Sequence, residues 1–161
     1  MQRICLFPGT FDPFTLGHKD IIDRALPLFD RLVVGIGRNM NKQPMFSDQQ
    51  RLQWIKDIYR GNDKVGAVIY DGLTVAACSA VGANFILRGI RYVNDFEYEK
   101  AIADMNRSLQ ENVETVFLTC LPQFTSVAST LVRDVIMNGG DASQFLPEAV
   151  NETIRNKQFA S

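Results

Sequence analysis

The sequence predicts an α/β fold, a doubly wound sheet of five parallel strands followed by helices at the C-terminal end. Three observations carry that expectation. Five short apolar runs, bounded by Gly, Pro, Asn or Asp, alternate with stretches whose apolar residues recur at helical spacing. Strand followed by helix, repeated along the chain, calls for right-handed crossovers that cover both faces of a parallel sheet. A length of 161 residues is enough to bury one core without staples.

The elements follow in order. Arg3 to Phe7 reads as the first strand and Gly17 to Leu28 as its crossover helix. Leu32 to Ile36 is the second strand, followed by a helix over Asp48 to Tyr59 that Ser47 and Gln50 could start as a capping box. Val65 to Tyr70 and Thr74 to Val81 make the third pair, Phe85 to Leu87 and Phe96 to Leu109 the fourth, and Thr115 to Thr119 the last strand. Two further helices, Ser129 to Met137 and Pro147 to Lys157, are joined by a turn at Gly139 and Gly140. With no internal repeat and no linker, residues 1–161 read as a single Rossmann-like domain.

Composition narrows the class. Hydrophobic residues make up 46% and charged residues 22%, so the chain is expected to be ordered throughout. A net charge of -1 gives no field that would attract a polyanion, so neither a nucleic acid nor a membrane is an expected partner. Arg3 stands directly before a run too short for a signal sequence, and no apolar run approaches ~18 residues, which places the protein in the cytoplasm. Cys5, Cys78 and Cys120, scattered among apolar residues, read as reduced core thiols.

In a doubly wound sheet, ligands settle outside the carboxyl ends of the strands. The positions just after the strands hold Gly9, Thr10, Phe11, Asp12, Pro13, Gly17 and His18, then Arg38 and Lys42, then Arg88, Gly89 and Arg91, then Thr125, Ser126, Ser129 and Thr130. Arginine forks, a lysine and the free amides of a helix starting at Ser129 suit a ligand with several phosphates. No G-x-x-x-x-G-K-[ST] loop is present, and Gly35 and Gly37 lack the third glycine of a dinucleotide site. Plainer readings stand beside this one. His18 could simply start a helix, Arg88 and Arg91 could pair with Asp95, Glu97 or Glu99 on a solvated surface, Lys42 could serve solubility, and the hydroxyls near Ser129 could only cap. Asp12 and Pro13 read as turn-shaping residues, the aspartate through its own following amides.

The stretch GTFDPFTLGH, from Gly9 to His18, contains Thr15, Leu16, Gly17 and His18, a match to the [TH]-x-G-H signature of the adenylyl- and cytidylyltransferase superfamily. With RGIR from Arg88 to Arg91, DFEYE from Asp95 to Glu99, Lys42 ahead of Pro44, Met45 and Phe46, and FLPE from Phe145 to Glu148, the chain resembles the bacterial phosphopantetheine adenylyltransferases. That resemblance implies transfer of the adenylyl group of ATP to 4′-phosphopantetheine, giving dephospho-coenzyme A and pyrophosphate in coenzyme A biosynthesis, without a covalent intermediate. It implies Thr10, His18, Lys42 and Arg91 as catalytic residues and Thr10, Lys42, Thr74 and Arg88 as contacts of the acceptor. For ATP it implies Thr10, Phe11, His18, Gly89, Ile90, Arg91, Glu99, Phe124, Thr125, Ser126, Val127, Ala128, Ser129 and Thr130. It also implies Mg²⁺ arriving with ATP rather than on protein side chains, a homohexamer, and inhibition by coenzyme A. The family often has Trp at Phe124 and serines at Ala128 and Thr130, so the helix-start amides carry more weight than those side chains. Another acceptor, such as nicotinate mononucleotide or a phosphorylated alcohol used with CTP, and a nucleotide-sensing module without turnover remain as alternatives. The Arg88 to Glu99 landmark favours phosphopantetheine.

Overall fold

Ile4–Gly9 (β1) is the axis on which the molecule is built: its middle residues, Cys5, Leu6, Phe7 and Pro8, are buried. In the computed structural model, which describes residues 2–38 and 43–158, four further strands join it. They are β2 (Arg31–Gly37), β3 (Val65–Tyr70), β4 (Phe85–Ile90) and β5 (Glu114–Thr119), and all pairings are parallel. The order across the sheet is β3-β2-β1-β4-β5. Leu6 sits in register with Val33 of β2 on one side and Ile86 of β4 on the other. From β1 the chain steps outward to β2 and β3, then crosses back to β4 and β5, so the winding direction reverses between β1 and β4. A crevice opens at such a switch point.

Because side chains alternate along a strand, β1 feeds two cores. Cys5 and Phe7, with Leu32, Val34 and Ile36 of β2, pack against Ile21, Ile22 and Ala25 of α1 (Leu16–Ala25) and Trp54 and Ile55 of α2 (Asp48–Ile58). Val132 of α5 (Ser129–Met137) and Val150 of α6 (Glu148–Gln158) join the same cluster. Trp54 Nε1 donates to Thr153 Oγ1 at 2.8 Å, which ties α6 back onto α2. On the opposite face Leu6, Val33 and Ile86 meet Ala77 and Cys78 of α3 (Thr74–Val81). The remaining helix, α4 (Val93–Leu109), differs: among its described residues only Glu99 is buried.

The doubly wound parallel sheet is as the sequence predicts; several boundaries are not. Strand β4 runs on to Ile90, so Arg88 and Gly89 lie within it rather than after it, held by pairing to Phe117 and Leu118. Helix α1 ends at Ala25 and gives way to a tight 3₁₀ turn over Leu26–Leu28, where Pro27 cannot supply the next amide. Helix α4 starts at Val93, before Phe96, because the Asp95 carboxylate accepts from the amides of Arg91 and Tyr92. At α2 the Ser47 hydroxyl caps the Gln50 amide at 3.2 Å, but the reciprocal pair forms at α1, between Thr15 and His18. Cys5 and Cys78 are fully buried, whereas Cys120 is only partly so and forms part of the crevice wall. Burial raises the Cys78 thiol to about 11 and raises Cys5 further, which keeps both protonated. No helix among the described residues is long and apolar enough to cross a membrane.

Candidate active site

The crevice between the carboxyl ends of β1 and β4 holds a cavity of about 530 Å³, a size suited to a nucleotide. Its first wall is the turn from β1 into α1. Gly9 is required there, because a Cβ would stand 2.9 Å from the ring of Phe11. Phe11 itself is buried with φ of 50°, a left-handed conformation that costs a non-glycine residue about 1–3 kcal/mol. What holds it is the next residue. The Asp12 carboxylate accepts from the amides of Met45 at 2.8 Å and Phe46 at 2.9 Å, so it fastens a distant segment rather than its own following amides.

His18 ends this wall. Its Nδ1 accepts from the Thr15 backbone N–H at 3.0 Å, so that nitrogen is unprotonated and the hydrogen resides on Nε2. Phe7, Phe11 and Phe14 surround the ring, with centroids at 6.4, 4.9 and 5.5 Å. Burial among them, then the positive charges of Arg91 and Arg88, lower the imidazole pKa to about 3. At neutral pH it is an uncharged donor with a fixed tautomer, lining the cavity.

The second wall comes from β4 and α4. The Arg88 Nε donates to Glu99 at 2.6 Å and NH1 to the Pro8 carbonyl at 2.7 Å, while NH2 also meets Glu99. Arg91 is held through Nε at 3.3 Å by Asp95, leaving NH1 and NH2 without a partner among the described residues. The ion pairs weighed in the sequence therefore exist, but they lie along the cavity with Asn94 and Tyr98 rather than on open surface.

The third wall is the start of α5. Ala128 occupies its N-cap and can offer no side-chain bond, and the first helical bond is from Val132 N to the Ala128 carbonyl at 3.0 Å. The amides of Ser129, Thr130 and Leu131 thus lack partners among the described residues, as an anion-binding helix start requires. The Ser129 hydroxyl does not cap; it donates to the Pro13 carbonyl at 2.8 Å and pins α5 to the first wall. Thr10, Ser129 and Thr130 also border a second cavity of about 550 Å³.

The structure thus brings together at the first cavity Thr10, Phe11, His18, Arg88, Gly89, Arg91, Glu99, Phe124, Val127, Ala128, Ser129 and Thr130. Others fall elsewhere. Ile90 is buried, its carbonyl accepting from Cys120 N at 2.8 Å. Thr125 and Ser126 follow a 3₁₀ turn before α5, with the Thr125 hydroxyl on the Leu121 carbonyl at 3.4 Å. Thr74 opens α3 beside the Tyr70 hydroxyl at 3.2 Å and lines neither cavity. Lys42 lies outside the described residues. Sequence reasoning missed Arg51 and Arg133, which line the second cavity. Both were detectable: Arg133 lies four residues after Ser129 on one helix, and Arg51 precedes Trp54 and Ile55 at the spacing of a buried face.

Comparison with known proteins agrees with this geometry. The cytidylyltransferase-like family model matches residues 6–160. The chain is 49% identical over 149 residues to phosphopantetheine adenylyltransferase of Flavobacterium psychrophilum, covering 92% of this chain and 98% of that one. It is 45% identical, with the same coverage, to phosphopantetheine adenylyltransferase of Bacteroides thetaiotaomicron. A crystal structure described as a nicotinate-nucleotide adenylyltransferase from Vibrio parahaemolyticus superposes with a TM-score of 0.68 at 22% identity, covering 96% of this chain and 99% of that one, a likeness of fold alone. A signature turn at the switch point, a family match along nearly the whole chain and close relatives of one name lead to one assignment: the chain belongs to the cytidylyltransferase-like nucleotidyltransferases and, among them, to the phosphopantetheine adenylyltransferase family.

Proposed function

We propose that this chain transfers the adenylyl group of ATP to 4′-phosphopantetheine by direct in-line displacement, giving dephospho-coenzyme A and pyrophosphate, as a single-domain enzyme of coenzyme A biosynthesis in the cytoplasm. The observation that carries the mechanism is a neutral, tautomer-fixed His18 on the same cavity as Arg88, Arg91 and the open start of α5. An oxygen of the acceptor phosphate bonds to the α-phosphorus of ATP while the bond from that phosphorus to the β-bridging oxygen breaks. The electron pair leaves with pyrophosphate. A phosphate monoester is already anionic, so no strong base is needed; the protein must align two anions that repel each other.

His18 Nε2–H donates to a non-bridging α-phosphate oxygen as its charge and geometry change. The unpartnered amines of Arg91 and the amides of Ser129 and Thr130 hold the outer phosphates, while Thr10, Lys42 and Arg88 hold the acceptor phosphate. Phe124 and Val127 give the adenine an apolar side. The cavity carboxylates Asp95 and Glu99 are already engaged by arginines, so Mg²⁺ would enter with ATP rather than on them. Such a site suits a cation held by phosphates and water, which neutralises the leaving group.

A homohexamer is part of the same reading, supported by the exposure of Val93, Tyr98, Met105 and Leu109 along α4. So is inhibition by coenzyme A, a relative of the product. The test is pyrophosphate release with ATP and a panel of acceptors. Turnover is expected with phosphopantetheine and not with nicotinate mononucleotide or a phosphorylated alcohol with CTP. Turnover with either of those overturns the acceptor, and nucleotide binding without any pyrophosphate release overturns the enzyme.

A further inference from the structure

Arg51 is the most deeply buried charged residue of α2, 2% exposed, and the displacement mechanism leaves it without a task. Its planar guanidinium joins three segments. Nε donates to the Phe46 carbonyl at 3.0 Å, NH1 to the Thr10 carbonyl at 2.6 Å, and NH2 to the Asp48 carboxylate. The other Asp48 oxygen accepts from Arg38 Nε at 2.6 Å, and Arg38 NH1 continues to Asp71 at 3.0 Å. From the opposite direction, Asp12 grips the amides of Met45 and Phe46.

The described residues that flank Lys42 in sequence, Arg38 before it and Met45 and Phe46 after it, are therefore anchored. Before it, Arg38 at the end of β2 is tied to Asp48; after it, Met45 and Phe46 are tied to Asp12 and Arg51. Apart from the Arg38–Asp71 bond, these ties lead back to the Thr10–Asp12 turn or to the start of α2. A buried ion pair is weak evidence of a stability role, since well-packed apolar residues of similar volume often do as well. A fork with three partners in fixed directions is suited instead to geometry.

We infer that Arg51 is a positioning residue for the acceptor side of the reaction, fixing Thr10 relative to Phe46 and Asp48. This rests on the reading of Thr10 and Lys42 as acceptor-phosphate contacts. None of its bonds reaches His18, Arg91 or the start of α5 among the described residues, so its effect should fall on the acceptor rather than on ATP.

The test is Arg51→Lys, which keeps the charge and loses the fork, measured by steady-state kinetics, equilibrium ATP binding and thermal unfolding. kcat/KM for phosphopantetheine should fall on the order of 10–100-fold, the cost of a misplaced reactant, while ATP affinity stays within about threefold. Acceptor kinetics at the wild-type level in a folded variant, or ATP affinity falling as far as kcat/KM, overturns the inference. Should Arg51→Lys not fold, Asp48→Asn carries the same comparison with a smaller expected loss, because the carbonyl bonds remain. Lys42→Met, measured alongside, separates the two claims. If it leaves acceptor kinetics unchanged, the acceptor site itself is misassigned and the inference falls with it; if it is impaired while the fork variants are not, only the role of Arg51 falls.

Discussion

The two long walls of the cleft are built by opposite means. The β1–α1 turn is tied into the core: Phe11, Asp12, Phe14 and Thr15 are buried, and its bonds lead to the amides of Met45 and Phe46, the Arg51 guanidinium and the Ser129 hydroxyl. The β4–α4 wall is held by charged side chains, Arg88 on Glu99 and Arg91 on Asp95. Its helix keeps one residue buried and exposes Val93 at 75% and Tyr98 at 70%. The first wall is complete within one chain. The second pairs its charged side chains with one another but leaves its apolar ones uncovered. Chemistry that needs a donor fixed to within an ångström belongs on the first wall, and contacts that adjust to ligand or neighbour belong on the second.

The largest effect that would break this division is at His18. His18→Ala should lower kcat by about 10²–10³, the usual cost of one donor aimed at transition-state charge, with a much smaller change in equilibrium ATP binding. The reason is selectivity: in the proposed mechanism ground-state ATP has Arg91 and the start of α5 as further contacts, while the fixed donor contributes where charge develops. A kcat near wild type, or ATP binding that falls as far as kcat/KM, would return His18 to a purely structural place in its capping box.

A smaller effect probes the second wall. Val93→Glu and Met105→Glu place charges on the exposed face of α4, where Met105 is 64% exposed. In a lone chain such surface changes should shift folding stability by no more than about 0.5 kcal/mol. If α4 is covered by another copy, the same changes should lower the assembly mass seen by sedimentation while leaving the far-UV spectrum intact. An unchanged mass for both variants would show that the face is not the contact between copies.

These walls were not equally legible. Strand and helix alternation gave the sheet because burial on both faces leaves short continuous apolar runs, and the turn from Gly9 to His18 stood out because its residues are local in sequence. The end of β4 was harder to read: Arg88 and Gly89 look like a loop, and only pairing with Phe117 and Leu118 makes them strand. Asp12 was read as a local turn former, yet its partners are 33 and 34 residues away. The histidine cap at α1 hid behind the expectation that a capping box ends in Glu or Gln. Arg51 was passed over because an arginine is ordinarily a surface residue, although its spacing to Trp54 and Ile55 puts it on the buried face, where two carbonyls and a carboxylate satisfy it.

The smallest expected effect is no effect at all, and it tests the first wall most directly. His18 is the sole histidine, so its imidazole resonances can be followed without assignment. Between pH 8 and about 5 they should show no inflection, because burial and the neighbouring arginines hold the pKa near 3, against an ordinary value of 6.5. Nitrogen shifts should show hydrogen on Nε2 and a bare Nδ1, as the Thr15 amide bond requires. The sign for stability follows. Above pH 6.5 the ring is neutral in both folded and unfolded chains and contributes nothing; as pH falls from 6.5 toward 3 the unfolded chain takes a proton the folded one refuses, so stability declines through that window. His18→Gln should remove that part of the decline. An inflection near 6.5 in the folded protein would mean that the phenylalanines and arginines do not disfavour the charged ring and that Thr15 does not fix its tautomer. The β1–α1 wall would then be as adjustable as the β4–α4 wall, and the donor role of His18 would lose the geometry on which it depends.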